Sequence, residues 1–154
     1  MTDSKLRGIA HYAEIIASIA VVVSLVYVGR QVQDNTAAIK SASVQAIADS
    51  SDAALRETAA DEDLSRIRFV GDADPESLSD LDAFRYLMYN RGQWIRMQNI
   101  FAQRQLGVLD DIFWDSYSKI ICGLYTTPGI NKDWPKHAGD LNDEFVQFVE
   151  SCVD

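Results

Sequence analysis

The stretch "AEIIASIAVVVSLVYVGRQ", Ala13 to Gln31, limits what this chain can fold into more than any other, because Ile15 to Gly29 carries no charge at all. From Ile9 to Gly29 there are 21 residues. As a helix they would be roughly 30 Å long, the thickness of a bilayer's hydrocarbon layer. Lys5 and Arg7 precede the run, Arg30 follows it, and Tyr12 and Tyr27 sit near its ends. Aromatic rings favour those interfacial positions. A cleaved signal peptide fits less well, since cleavage needs small residues one and three before the cut and Tyr27 stands in the wrong place. A buried core helix remains the competing reading, because the charge-free run is only 15 residues. The expected organisation is a tail over 1–8, a transmembrane helix over 9–29, a helical extension over 30–60 and a helical extramembrane domain over 61–154.

Inside the apolar run, Ala10, Ala13, Ala17, Ala20 and Ser24 recur at intervals of 3, 4, 3 and 4. On a helix they share one face, and a face of small residues lets another membrane helix approach closely. His11 and Glu14 lie on a neighbouring face, spaced to pair with each other. A charge at that depth is costly unless paired or neutral. The ordinary alternative is that alanine is common in such helices and Glu14 reaches the headgroups.

No Gly or Pro occurs from Arg30 to Val70, so the helix should continue to about Ala60. Leu25, Val32, Ile39, Ala46 and Ala53 recur every seven residues, a small-residue seam that would pack on the rest of the domain or on a sister helix. Beyond it, Asp61 to Asp63 suit a helix N-terminus, and that short helix should end at Gly71. Ser79 with Asp82 resembles a capping box for a helix from Asp80 to about Leu106, ended by Gly107. Its buried stripe is expected from Leu81, Phe84, Met88, Ile95 and Phe101, joined by Leu87 and Trp94. Arg85, Arg91, Arg96 and Arg104 share no single face and read as solvated or salt-bridged positions. Asp110 can cap a helix from Asp111 to about Leu124. "TTPG" opens a loop running to Gly139, and a last helix should cover Leu141 to Val153. No window alternates like a strand. The fold class is all-α: one N-terminal transmembrane helix continuing into a long helix, followed by a small helical bundle.

From Gln31 onward, 11 Lys/Arg face 21 Asp/Glu, a balance of −10. Such a charge repels phosphate backbones and argues against nucleic-acid binding. It also opposes docking flat on anionic lipid. Cys122 and Cys152 allow one disulfide, although two cysteines in such a chain more often stay free thiols. No glycine-rich phosphate loop or nucleophile elbow is present. The two histidines, His11 and His137, are too far apart in the chain to suggest a zinc site, and no cofactor is implied. The acids Asp72, Asp74, Glu76, Asp80 and Asp82 fail the calcium-loop template, with Ser77 in place of its glycine and Ala83 in place of its glutamate. Trp94, Trp114 and Trp134 are candidates to line a small-ligand pocket, though three tryptophans are more often core anchors.

The chain resembles a widespread group of uncharacterised bacterial single-pass membrane proteins. The resemblance runs from "AEIIASIAVVVSLVYVGRQVQDNTAAIKSASVQAIAD" through "DPESLSDLDAFRYL" and "LGVLDDIFWDSY" to "FVQFVES". It rests on an apolar helix, Gln33, Asn35 and Thr36, a Pro-Glu-Ser-Leu turn, and the turn from Leu106 to Asp110. It implies a helical protein of the bacterial cytoplasmic membrane and no activity. In that group basic residues lie mostly after the helix, which implies a cytoplasmic domain. In this chain Lys5 and Arg7 balance Arg30 and Lys40. The functional expectation is a non-enzymatic interaction protein in the bilayer, forming homo-oligomers or serving as an accessory subunit beside other membrane proteins. The alternative is a small-ligand sensor with a pocket near the three tryptophans.

Overall fold

The computed structural model describes the backbone of residues 3–153 and the side chains of residues 11–153. Helices account for 89% of the described residues, with no strand among them, so the fold is all-α. Two compact units divide it, Met1–Ala42 and Ser43–Asp154. Helix α1, Asp3–Ala60, supplies the first unit and enters the second. It already includes Asp3 to Gly8, which the sequence reading had treated as a tail.

The helical unit continues with α2 (Glu62–Ala73), a 3-10 turn (Pro75–Ser77), α3 (Asp80–Gln105), α4 (Asp111–Tyr125), α5 (Pro128–Asp133), α6 (Pro135–Ala138), α7 (Asp143–Glu150) and a final 3-10 turn (Ser151–Val153). Side chains set most of these starts. Asp61 accepts from the Leu64 amide at 2.9 Å, Ser79 from Asp82 at 3.2 Å and Asp110 from Phe113 at 3.0 Å. Each satisfies an amide that the first helical turn leaves without a partner. Gly107 follows α3 with φ of +68°, the left-handed geometry of a helix stop.

The core gathers around α3. Tyr86, Trp94, Met97, Ile100 and Phe101 meet Ile67 of α2, Ile121 and Tyr125 of α4, Ile130 of α5, and Phe145 and Val149 of α7. Four sequence expectations change here. Leu81, Phe84, Met88 and Ile95 are exposed; α3 instead buries the opposite face, which includes Asn90 and Gln93. Within the helical unit, the sevenfold row of α1 is not its packing row either. Ala46 and Ala53 are exposed, and the residues that turn inward are Val44, Ile47, Ser51, Ala54 and Thr58. Gly71 does not end α2 but sits buried within it. The loop expected after Thr126 contains α5 and α6, each begun by a proline at its first position, where the missing N–H costs nothing.

Cys122 of α4 and Cys152 of the final turn form a disulfide, with Cα atoms 5.3 Å apart. Sequence spacing had left that pairing open and inclined toward free thiols.

Candidate functional site

Residues 11–42 are exposed without exception. An 18-residue window of α1 reaches a mean hydropathy of 2.0, and none of it is buried. This helix is long and apolar enough to cross a membrane. Its apolar residues surround the axis: Ile16, Val22, Leu25 and Tyr27 are all more than half exposed. A helix apolar on every side has no solvent face, which distinguishes it from an amphipathic surface helix.

Ala13, Ala17, Ala20 and Ser24 are exposed and in register on this helix, while the side chain of Ala10 lies outside the described residues. His11 and Glu14 are exposed beside them, together with Ile15, Ser18 and Ile19 along a shallow hollow. Among the described residues His11 and Glu14 are not joined by an ion pair. Ser18 instead donates to the Glu14 carbonyl at 2.8 Å, the local back-bond of a hydroxyl in a helix.

The three tryptophans are packing residues. Trp94 and Trp134 meet edge to face with centroids 4.7 Å apart, and both are buried. Trp114 packs apart from them, against Phe101 and Phe148. The Trp134 indole donates to Glu150 at 3.1 Å. His137 is also buried, and that burial pushes its imidazole below the ordinary value, opposed by the nearby Asp133 carboxylate.

The helical unit does hold a groove, in a different place. It has a volume of about 430 Å³ and lies between residues 46–50 of α1 and the side of α3. Ile47 and Ile100 are its buried apolar lining; Arg96, Asn99, Gln103 and Ser50 supply its polar groups. Gly92 borders it on open space, where a Cβ would meet nothing within 4 Å. The four arginines of α3 differ in their partners. Arg85 faces Asp82, Arg91 pairs with Asp140 and Arg104 with Asp111. Arg96 has no carboxylate partner among the described residues. It donates to Gln93 and, at 3.5 Å, to the Ser50 carbonyl, and its buried Nε has no acceptor. Burial therefore lowers its pKa below the ordinary arginine value. The buried Oε1 of Gln103 likewise lacks a donor. Sequence reasoning grouped Arg96 with the solvated arginines. The available signal was Gly92, Arg96, Asn99 and Gln103 at i, i+4, i+7 and i+11, one side of a helix.

Four of the five acids from Asp72 to Asp82 have protein partners. Asp72 bonds Arg68 and Tyr86, Lys132 reaches both Asp74 and Glu76, and Asp82 meets Arg66. Among the described residues no group of three His, Cys, Asp or Glu is placed to hold a metal. The chain matches no family model, no curated protein and no solved structure.

Proposed function

We propose that this chain is a membrane-anchored interaction protein, seated in a bacterial cytoplasmic membrane, that assembles with copies of itself or as an accessory subunit of a larger membrane complex. The observation that carries the reading is the helix over residues 15–29, free of charge, apolar around its axis and exposed throughout. Water solvates such a surface poorly, at roughly 25 cal/mol for each Å² of apolar area. Lipid chains remove that penalty, and the face of Ala13, Ala17, Ala20 and Ser24 offers a close approach to a neighbouring helix. The helical unit adds a second surface, the outer stripe of α3 made by Leu81, Phe84, Met88 and Ile95. Exposed apolar stripes of this kind are usual at protein contacts.

The test uses the full chain with a C-terminal tag. After an alkaline carbonate wash it should remain with membranes and float with them in a density gradient. Val22→Arg should reduce that fraction several-fold, since a mid-span arginine costs about 2.5–3.5 kcal/mol on insertion scales. Release of the unsubstituted chain by the wash would overturn the anchor. Ala13→Leu with Ala17→Leu should weaken assembly in detergent while leaving membrane retention intact.

A second reading, small-ligand binding, is favoured by Arg96. The unpaired guanidinium at an apolar groove suits a small amphipathic carboxylate, whose charge would meet Arg96 and whose chain would cover Ile47 and Ile100. Decanoate at submicellar concentration should raise the melting temperature of the helical unit, decanol should not, and Arg96→Gln should abolish the shift. An equal shift in Arg96→Gln removes this reading.

A further inference from the structure

We infer that the helical unit faces an oxidising compartment, on the outer side of the membrane that holds α1, and that Cys122 and Cys152 are closed there by thiol–disulfide exchange. The inference rests on the anchored reading and reverses the cytoplasmic placement implied by the resemblance.

Several features of the pair support it. The two cysteines lie 30 residues apart and on different elements, α4 and the final 3-10 turn. Only the folded unit brings them together, with a Cα separation of 5.3 Å that falls in the range a disulfide bridges without moving the backbone. They are the chain's only cysteines, and neither is left free for a catalytic or sensing task. Neither belongs to a group of metal-ligating side chains among the described residues. Both are half-buried, packed beside core residues yet open in part to solvent. A half-open disulfide in the cytosol meets reductants that hold such pairs as thiols, whereas outside the cytosol it persists.

The charge pattern does not oppose this topology. Orientation follows the Lys and Arg residues close to the span, and these number two on each side: Lys5 and Arg7 before it, Arg30 and Lys40 after it. The excess of Asp and Glu in the helical unit does little to retain it on the inner side, because acidic residues contribute weakly to the rule.

The class of reaction that closes the pair follows from its chemistry. The thiolate of one cysteine attacks the disulfide of an oxidised thiol–disulfide oxidoreductase, forming a mixed disulfide and releasing one thiolate of that donor. The second cysteine, as thiolate, then attacks the protein sulfur of the mixed disulfide. The Cys122–Cys152 bond forms, and the donor leaves as a dithiol with the two electrons and two protons that the pair gave up.

The experiment uses the full chain expressed in a bacterial host. Cells are quenched in acid to freeze thiol states, and the protein is then treated with a maleimide carrying a polyethylene glycol chain, with or without prior reduction. The expected result is no mass-tagged thiol before reduction and two after it, on a monomer in non-reducing gels. In a host lacking its extracytoplasmic thiol oxidase, two tagged thiols should appear without reduction. A C-terminal alkaline phosphatase fusion, active only when exported, should be active. Two free thiols in the normal host together with an inactive fusion, on a chain that carbonate leaves in the membrane, would overturn the inference while leaving the anchor standing. A chain that carbonate releases would instead overturn the anchored reading itself.

Discussion

Gly129→Ala should destabilise the helical unit by about 3 kcal/mol or more. A Cβ on Gly129 would sit 1.8 Å from the Gly71 carbonyl oxygen and 2.9 Å from its carbonyl carbon. Both atoms are backbone, so no rotamer change relieves the clash; α2 and α5 would have to separate. Gly71 has no room to retreat, because a Cβ on it would already meet the Tyr86 ring at 2.6 Å. The two glycines thus mark where α5 crosses α2 and α2 crosses α3. For a unit of this size the loss corresponds to more than about 10 °C in melting temperature. Near-UV circular dichroism of the full chain in detergent reads it through the buried tryptophans. Gly123→Ala is the control: a Cβ there meets nothing within 4 Å, and α4 should gain up to about 1 kcal/mol of helix propensity. An unchanged melting temperature for Gly129→Ala would refute the close crossing.

Trp94→Ala should cost about 3–5 kcal/mol, the usual range for deleting a large buried ring. Trp94 is 1% exposed, with Trp134 at 4.7 Å and Phe145 at 6.4 Å between ring centroids. Trp94→Phe separates packing from polarity. The Trp94 indole N–H is buried without a partner, so phenylalanine removes an unsatisfied donor along with part of the ring. Trp134 donates to Glu150, so the same change there loses a bond to a carboxylate. Trp94→Phe should therefore be milder than Trp134→Phe, and both milder than Trp94→Ala. Urea unfolding followed by far-UV circular dichroism gives the order. The reverse order would mean that the Trp94 donor is satisfied in solution.

The local signals of the sequence were good guides wherever one side chain serves one backbone group. The caps at Ser79 and Asp110 follow from such pairings, the acids from Asp61 to Asp63 marked a helix start, and Gly107 marked a stop through its backbone freedom. The face of α3 was misread because its two sides compete. Leu81, Phe84, Met88 and Ile95 form a more apolar row than Tyr86, Asn90, Gln93 and Met97, so periodicity favoured the wrong side, and only tertiary packing decides between them. Gly71 looked like a stop because a glycine admitted for close approach has the same letter as one admitted for its backbone freedom. Pro128 and Pro135 read as breaks, although proline also begins helices. The isolation of Arg96 had no counterpart in the sequence, since it depends on where every carboxylate of the fold ends up. The Cys122–Cys152 pairing likewise depends on where α4 and the final turn meet.

Helix α1 is continuous in its hydrogen bonding, yet the boundary between the two units falls inside it, after Ala42. One hydrogen-bonded element therefore serves two packing units. After that boundary, the inward residues Val44, Ile47, Ser51, Ala54 and Thr58 share in the core, and Thr58 bonds the Tyr89 hydroxyl at 2.9 Å. Those turns share the packing of the core, so their amides should exchange more slowly than those before the boundary. The turns before it hold no share in that core, and their persistence is governed by whatever medium surrounds them. The helix therefore has one part whose side chains belong to a core and one part whose side chains all lie open.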